Sequence, residues 1–534
     1  MRVLGLAGLL ALGVAQAQEP VYRWGPPVTN DHTERRIERL LALGDDGFVL
    51  LRTLTDATTV KHYWLERYSK DLAHVSTEEV EFHGGVMGDS RFLDAIEVVN
   101  GRLVAFVTHW HKDSGKHTLL MHDLALDGTL GEGRELDVIA AEKMGNRGFF
   151  STAFSPDGTK LVVLADLPYE KNMQGRVRLS CFDPTTGERL WNKEQELDWG
   201  SEKAPRHDLV VDDKGRAYLF KQTWQKPVWM YALYSTNGSD WQVHRTKHLD
   251  GKQVEDHRMA IGPEGQAFVY GLYTTEPSNY DKRVHGSWYA LFGPDGSLAV
   301  DRAEGWPREV VAMLGSEHLA NNADKAHVKD LRIKDVLGTR PGKSYGDGRL
   351  LVLLEQVEEK SDPIAGSSPM QYTYSWVYDD ALVLSMDASS GDLDWWRHID
   401  KHQEVRSSTP VDEFGSYLPY LKEDRLFLFW NNTDLSVPSI PPAGWTEPDG
   451  TRYVKKKAFD EKTAHGTFLY VIEPDGHITY GDRTHGLPLL HLHEGAVFEM
   501  SLTTPFFFDA NGQLVVLAQM HNGGQRYRFG FIGL

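Results

Sequence analysis

A single cysteine, Cys181, stands among 534 residues, so no disulfide forms within the chain and its stability must come from burial. Long apolar runs are absent after the first 17 residues, which excludes a membrane-spanning helix from the rest of the chain. Basic residues are outnumbered, with 57 Lys and Arg against 76 Asp and Glu, a net charge of −19. Nucleic acid is therefore not an expected partner, because phosphate neutralisation needs a clustered cationic surface, and the one basic run, Lys455-Lys456-Lys457, reads as a solvated loop. Gly342-Lys343-Ser344-Tyr345-Gly346 matches the Gly-x-Ser-x-Gly pattern of serine hydrolases, but no stretch suggests the separate α/β domain in which such an elbow sits, and the Gly-x-x-x-x-Gly-Lys-Ser/Thr phosphate loop is missing.

Residues 1–17 begin with Arg at position 2, continue as VLGLAGLLALGVA and end in Ala15-Gln16-Ala17. This is the pattern of a secretory signal peptide cleaved before Gln18, with an apolar run too short to cross a bilayer. The mature chain, 18–534, is expected to be one domain in the periplasm or outside the cell.

What the chain does contain is a repeated pattern, clearest from Phe149 to Lys193. FFSTAF, KLVVLADL, VRLSCFD and ERLWNK are short segments rich in β-branched, aromatic and apolar residues. They are separated by Ser155-Pro156-Asp157-Gly158 and Asp183-Pro184-Thr185-Thr186-Gly187, in which Gly supplies positive φ and Asp or Pro presets the turn. About eight such units follow one another at the roughly 40 to 50 residue spacing of propeller blades. A lone four-stranded meander keeps open edges and little core, so the copies must pack face to face. The expected fold is all-β, a β-propeller of eight four-stranded blades. The last unit is one strand short, and the unpartnered segment Glu19–Gly25 is predicted to become its outer strand and close the ring.

The segments DPTTGERLW (183–191) and DASSGDLDW (387–395) resemble PQQ-like propeller repeats, and FSPDGTKLVV (154–163) is similar to the TolB-type repeat. The resemblance implies the fold class. Quinone dehydrogenases of that repeat class use an adjacent cysteine pair beside the cofactor, which a lone Cys181 cannot supply, so no cofactor is expected and the non-enzymatic scaffolds of the class are the nearer comparison. Ser235–Trp241 looks like a degenerate Asp-box, a structural turn that carries no chemistry of its own.

The tight Asp-Gly turns fall at one end of the units, between first and second or third and fourth strands. Long segments, 274–285, 304–327, 355–374 and 431–465, are expected at the other end, here the upper face, where inner strands begin. Loops longer than about 12 residues are uncommon unless functional or disordered, which puts the binding surface there. Arg147, His207, Asp208, Asp256, His257, Arg258, His327, Lys329 and Tyr417 precede or begin inner strands and are candidates to line the channel mouth, or else to tie one blade to the next. Trp110, Trp224, Trp376, Trp430 and Trp445 near the upper loops could stack on a sugar or fill a protein interface, with burial under a loop as the alternative. Two His-x-His pairs, His109 with His111 and His491 with His493, place imidazoles on one strand face, but neither has an evident third ligand, and no metal is assigned.

Two functions fit. The first is a non-catalytic scaffold of the bacterial envelope that holds a protein partner on its upper face. The alternative is a polysaccharide-active lyase or glycosidase in which His207, His257 or Tyr417 moves protons while Arg147 or Arg258 neutralises a uronate, with a glycan as the ligand.

Overall fold

The computed structural model describes residues 21–533 except 33–34, 56–60, 83–84, 87–88, 203–205, 277–281, 323–325, 338–347, 365–371, 400, 408–414, 423, 433–465, 481–486, 490, 494–495, 501–506, 509–512 and 521–525. The signal-like segment, the basic run at 455–457 and Trp445 lie outside the described residues.

Among the described residues, eight antiparallel sheets of four or more strands succeed one another along the chain, spanning 36–79, 85–140, 149–200, 206–245, 253–305, 331–407, 418–489 and 491–533. The third consists of Phe149–Phe154, Leu161–Asp166, Gln174–Phe182 and Arg189–Gly200, the four segments legible in the sequence. Its turn glycines, Gly158 and Gly187, have φ of 71° and 66°, the left-handed region that a side chain disfavours. Asp157 and Asp183 complete these turns by accepting from the amides of Thr159 and Thr185, at 2.9 and 2.7 Å. Asp127, Asp212, Asp295, Asp387 and Asp475 do the same at the corresponding end of other sheets.

The sheets pack face to face as propeller blades. Val49, Leu51 and Leu65 of the first blade share a core with Leu103, Ala105 and Val107 of the second. Further apolar clusters join second to third, third to fourth, fourth to fifth and fifth to sixth blades, and one large cluster spans the sixth, seventh and eighth. The circle is completed where Leu40, Phe48, Leu50 and Tyr68 of the first blade pack on Val515, Leu517, Tyr527 and Phe529 of the eighth.

Closure is also made by backbone hydrogen bonding, since the two ends of the described chain share one sheet. Val21–Trp24 is the outer strand of the eighth blade and pairs antiparallel with Arg526–Gly533, Val21 opposite Gly533 and Trp24 opposite Gly530. The predicted clasp is therefore present. The inner position of that blade is filled by two short strands on Leu514–Met520: Ala496–Met500 covers one end and Phe507–Phe508 the other.

Two of the expected long loops have different structures. Segment 355–374 is largely strand: Arg349–Pro363 and Tyr372–Asp387 continue as a hairpin above the sixth blade, flanked by Gln403–Ser407. Alternating Tyr372, Tyr374, Trp376 and Tyr378 place aromatics on one face, and Val357, Trp376 and Tyr378 form a separate small core with Tyr374 and Val405. Segment 304–327 carries two helices, α1 (Arg308–Leu314) and α2 (Glu317–Ala320), and Val310, Val311 and Leu314 of α1 enter the core between the fifth and sixth blades.

Candidate functional site

The inner strands of the third and fourth blades meet just below the upper face. Ser151 is the third residue of the strand Phe149–Phe154, and Asp166 lies opposite Phe149 at the end of the neighbouring strand. Across the blade boundary stand His207 and, opposite it in register, Lys221. Lys221 Nζ donates to Asp166 Oδ1 at 2.8 Å, His207 Nδ1 lies 2.9 Å from Asp166 Oδ2, and His207 Nε2 is 2.9 Å from Ser151 Oγ. Burial on its own would raise the Asp166 carboxyl, but His207 and Lys221 outweigh it and hold the group below the usual carboxylate range.

A Ser, a His and an Asp in this order invite a hydrolytic reading, but the adjacent blade gives the geometry another meaning. Asp208 is likewise the third residue of its inner strand, and Gln222 lies opposite Arg206, the first. His257 of the fifth blade reaches back to both: the Gln222 amide donates to Nδ1 at 3.2 Å and Nε2 lies 3.9 Å from Asp208 Oδ2. The same positions are thus bridged by a histidine from the following blade at two successive boundaries, once with Ser and Asp and once with Asp and Gln. Lys221 moreover already neutralises Asp166. The arrangement is a tie between blades. At the next boundary the tie uses backbone, with Asp256 Oδ2 accepting from Ile333 N at 2.8 Å and an Arg258 guanidinium donating to Ile333 O at 3.4 Å.

The five candidate catalytic residues do not converge. His207 and His257 occupy separate ties, and Arg258 is held by Asp256 and Ile333. Arg147 stacks on the Phe92 ring at 5.2 Å and donates to Met144 O. Tyr417 corrects the sequence reading outright. It is 1% exposed, sandwiched between the sixth and seventh blades, with burial raising its hydroxyl pKa far above the ordinary value. His327 is also buried, its ring 5.6 Å from that of His285, whereas Lys329 is exposed and pairs in register with Arg283.

Of the tryptophans, Trp224 is the one described candidate open to solvent, at 44% exposure, with its ring against Trp229 at 5.2 Å. Trp110, Trp376 and Trp430 are buried, which removes them from a ligand-stacking role. Trp110 donates to Ala141 O at 3.1 Å, Trp376 sits in the small hairpin core, and Trp430 stacks on Tyr470 at 4.0 Å. Their strand alternation points them between sheets, a direction that proximity to a loop in sequence does not reveal.

His109 engages Asp89 through Nε2, and His111 Nδ1 accepts from Ser114 N at 3.3 Å. Among the described residues no group of three or more His, Cys, Asp or Glu side chains is placed to hold a metal. His491–His493 forms a strand paired with Ala496–Phe498, and its side chains lie outside the described set.

A different feature occupies the upper face of blades two to four. Phe92, Met144, Phe149, Met173, Trp224 and Val228 are all exposed there. The loops that carry them are tied together along an arc: Ser90 Oγ touches Met144 Sδ at 3.9 Å, Asn146 exchanges two hydrogen bonds with Tyr169, Ser201 N donates to Met173 O, and Trp224 N donates to Glu202 Oε1 at 2.9 Å. A recess of about 70 Å³ lies within the arc, lined in part by Met144, Arg147, Phe149, Tyr169 and Glu202. Burial raises the Glu202 carboxyl, against the Trp224 amide and Lys221. Larger hollows of about 490 and 450 Å³ lie at the opposite, short-turn face around Arg102 and Asp123, and they are remote from the channel mouth. Sequence reasoning missed Ser151, Asp166, Lys221 and Glu202. Lys221 within AYLFKQTW and Asp166 closing KLVVLAD were the available signals, because a charge inside an apolar strand must find a partner.

No protein-family model matches the chain, and no curated protein does. Solved structures match at the level of the fold. The Dos1 propeller is similar over 95% of this chain and 94% of its own, at 9% identity and a TM-score of 0.41. The quinohemoprotein alcohol dehydrogenase ADHIIG from Pseudomonas putida HK5 is similar over 96% of this chain and 76% of its own, at 10% identity and a TM-score of 0.39. The WD40 domain of SCAP from fission yeast is similar over 96% and 97%, at 8% identity and a TM-score of 0.31. These proteins include a dehydrogenase and separate propeller domains, so the likeness speaks to architecture alone. No described helix is long and apolar enough to cross a membrane.

Proposed function

We propose that this chain is an exported, non-catalytic propeller of the cell envelope that holds a partner protein on the upper face of blades two to four. The observation that carries the reading is the six exposed apolar side chains from Phe92 to Val228 on neighbouring loops of one face, set beside mouth residues whose polar groups are spent on ties between blades. Several exposed apolar side chains on one face, with an aromatic among them, are what a protein interface offers, and Trp224 is that anchor here. The leader-like residues 1–17 support export. A glycan-active role requires a His and an Arg to face one sheltered cavity, and His207, His257, Arg147 and Arg258 are each engaged in separate places.

The test is affinity capture of the tagged mature chain from solubilised native envelope after mild crosslinking, compared with a Trp224→Ser/Val228→Ser variant. A stoichiometric protein recovered with the parent and reduced at least about tenfold with the variant supports the reading, since interface anchors typically carry about 2 kcal/mol or more. Equal recovery by both, or none by either, rejects this face as the holding surface.

A further inference from the structure

Two buried imidazoles meet where the helical segment 306–322 returns to the fifth blade. His285 leads into the third strand of that blade and is 9% exposed; His327 precedes the strand Val328–Lys329 and is 7% exposed, with its ring 5.6 Å away. Val328–Lys329 pairs antiparallel with Arg283–Val284, Val284 opposite Val328, which sets His285 and His327 at the same end of one short ribbon. The ribbon anchors the helices. Trp306 Nε1 donates to Val284 O at 3.2 Å and Trp306 N to His285 O at 3.3 Å, and Val284 and Val328 share a core with Trp306, Val310, Val311 and Leu314. The surroundings of His285 favour its neutral form. The Thr275 amide donates to Nδ1 at 3.3 Å, and Thr274 Oγ1, which accepts from the Glu276 amide, lies 3.1 Å from the same atom. Nδ1 is therefore an acceptor and the ring hydrogen sits on Nε2, so a second proton at Nδ1 would meet the Thr275 N–H in a desolvated place beside another imidazole. Burial and His327 push the His285 pKa down, against Glu276 and the Arg283 carbonyl. Of the surrounding charges, Glu276 is paired with Arg283 at 3.0 Å, Glu304 with Arg302, and Arg308 with Glu317 at 2.8 Å, while Lys282 and Lys329 are exposed at the end of the ribbon beside Asp330.

We propose that His285, backed by His327, is an acid-sensitive latch: while neutral it holds the ribbon and the helical segment on the fifth blade, and once protonated it loosens both ahead of the ring. The latch is independent of what the arc of blades two to four binds, since it lies at the boundary of the fifth and sixth blades. The sign follows from where the proton is bound. An imidazole freed by opening titrates near about 6.5, whereas the closed site resists the proton, so the open form takes up more protons and opening grows as pH falls below that value. One such histidine multiplies the opening constant about tenfold between pH 7.5 and 5.5 while the closed form stays neutral. The burial of Trp306, Val310, Val311 and Leu314 keeps the segment closed most of the time at either pH, so the proton changes how often it opens and not where it rests.

The experiment is amide hydrogen exchange of the full mature chain at pH 7.5, 6.5 and 5.5, read as protection after correction for the intrinsic rate at each pH. This window lies above the range in which most carboxylates titrate. Protection in 282–285, 306–320 and 328–330 is expected to fall about tenfold from pH 7.5 to 5.5, and the strands Leu161–Asp166 and Gln174–Phe182 of the third blade to remain at least about tenfold better protected than these segments at each pH. His285→Gln, whose side-chain oxygen can still accept from the Thr275 amide, should remove the fall in the three segments. His117→Gln in the second blade should keep it. Melting at pH 7.5 shows whether each variant is folded, and His285→Asn, which also carries an amide oxygen, takes the place of His285→Gln if that variant is not. Protection that does not change with pH, that matches the third blade at every pH, that falls in 282–285 alone, or that still falls in the folded His285 variant overturns the latch.

Discussion

At the scale of single residues, the polar groups near the channel mouth act through burial, and each has a measurable signature. Asp166 faces the buried Lys221 ammonium at 2.8 Å and His207 at 2.9 Å. Asp166→Asn leaves Lys221 without its counter-charge, and removal of one member of a buried pair costs about 3–5 kcal/mol. Urea unfolding of the variant checks this; a loss below about 1 kcal/mol would mean that the tie contributes little. His117 gives a pH prediction. It is 3% exposed, and its Nδ1–H donates to Arg147 O at 3.2 Å beside the Phe150 ring. Burial, with Arg147 and His109 nearby, pushes its pKa down to about 4. In the unfolded chain a histidine titrates near about 6.5, so between those values the unfolded state binds the extra proton and stability falls as pH falls. The effect is about 3 kcal/mol when fully developed, and His257 and His285, also depressed by burial, add with the same sign. His117→Gln keeps a donor toward Arg147 O and should flatten the loss of unfolding free energy between pH 6.5 and 5, before most carboxylates titrate. An unchanged slope in that window would remove His117 from the account.

At the scale of elements, the sixth-blade hairpin is the part of the molecule best suited to move independently. Beyond Val357, whose amide donates to Asp330 O at 2.8 Å, the described backbone of the strand Arg349–Pro363 pairs with Tyr372–Asp387, because the inner strand Leu331–Leu337 ends its pairing at Gln356. The extension is held by its own small core of Val357, Trp376 and Tyr378 and by the ion pair of Glu359 with Arg332 at 2.8 Å. Trp376→Ala is therefore expected to speed amide exchange in 357–363 and 403–407 by at least about tenfold while leaving the strands below at parent protection, as a locally opening unit does. Uniform loss of protection through all blades would show instead that the hairpin and ring unfold together. This element also shows what the sequence conveyed and what it did not. Turns such as Ser155–Gly158 were legible because Asp and Gly perform a local task, and the template strands between them agree with the structure. The hairpin read as a long loop because its charged run Glu358-Glu359-Lys360 masks an extended backbone. The helix α1 was missed because seven residues hold too few turns for a periodic signal. Tyr417 and Trp430 were misplaced for a third reason. Position in the chain tells where a residue begins a strand, while packing between neighbouring sheets decides whether its side chain meets solvent, and that information is not local.

At the scale of the whole molecule, closure depends on a strand that is farthest in sequence from its partner. Val21–Trp24 completes the eighth blade, and Trp24, 7% exposed, packs across Gly530 with the Arg528 guanidinium 4.9 Å from its ring. A Cβ at residue 530 would come within 2.5 Å of the Trp24 indole, closer than any unstrained contact, so the glycine is required by the approach of the indole. The other side of the closing seam is polar as well as apolar: Arg52 and Glu66 of the first blade are 2.5 Å apart, and Tyr527 of the eighth donates to Glu66 Oε2 at 2.7 Å. These contacts join the first blade to the eighth. Gly530→Val should expel the indole and free the strand Val21–Trp24, leaving an outer edge on Arg526–Gly533 and lowering the melting temperature by several degrees, since overpacking costs about 1–3 kcal/mol before the lost strand is counted. Trp24→Ala in the same background distinguishes the cause. If the clash with the indole is what destabilises, the unfolding free energy of the double variant lies no more than about 0.5 kcal/mol below that of Trp24→Ala alone, because the two changes remove the same interaction. Fully additive losses would place the effect of residue 530 within its own strand and leave the clasp without a measurable part in holding the ring shut.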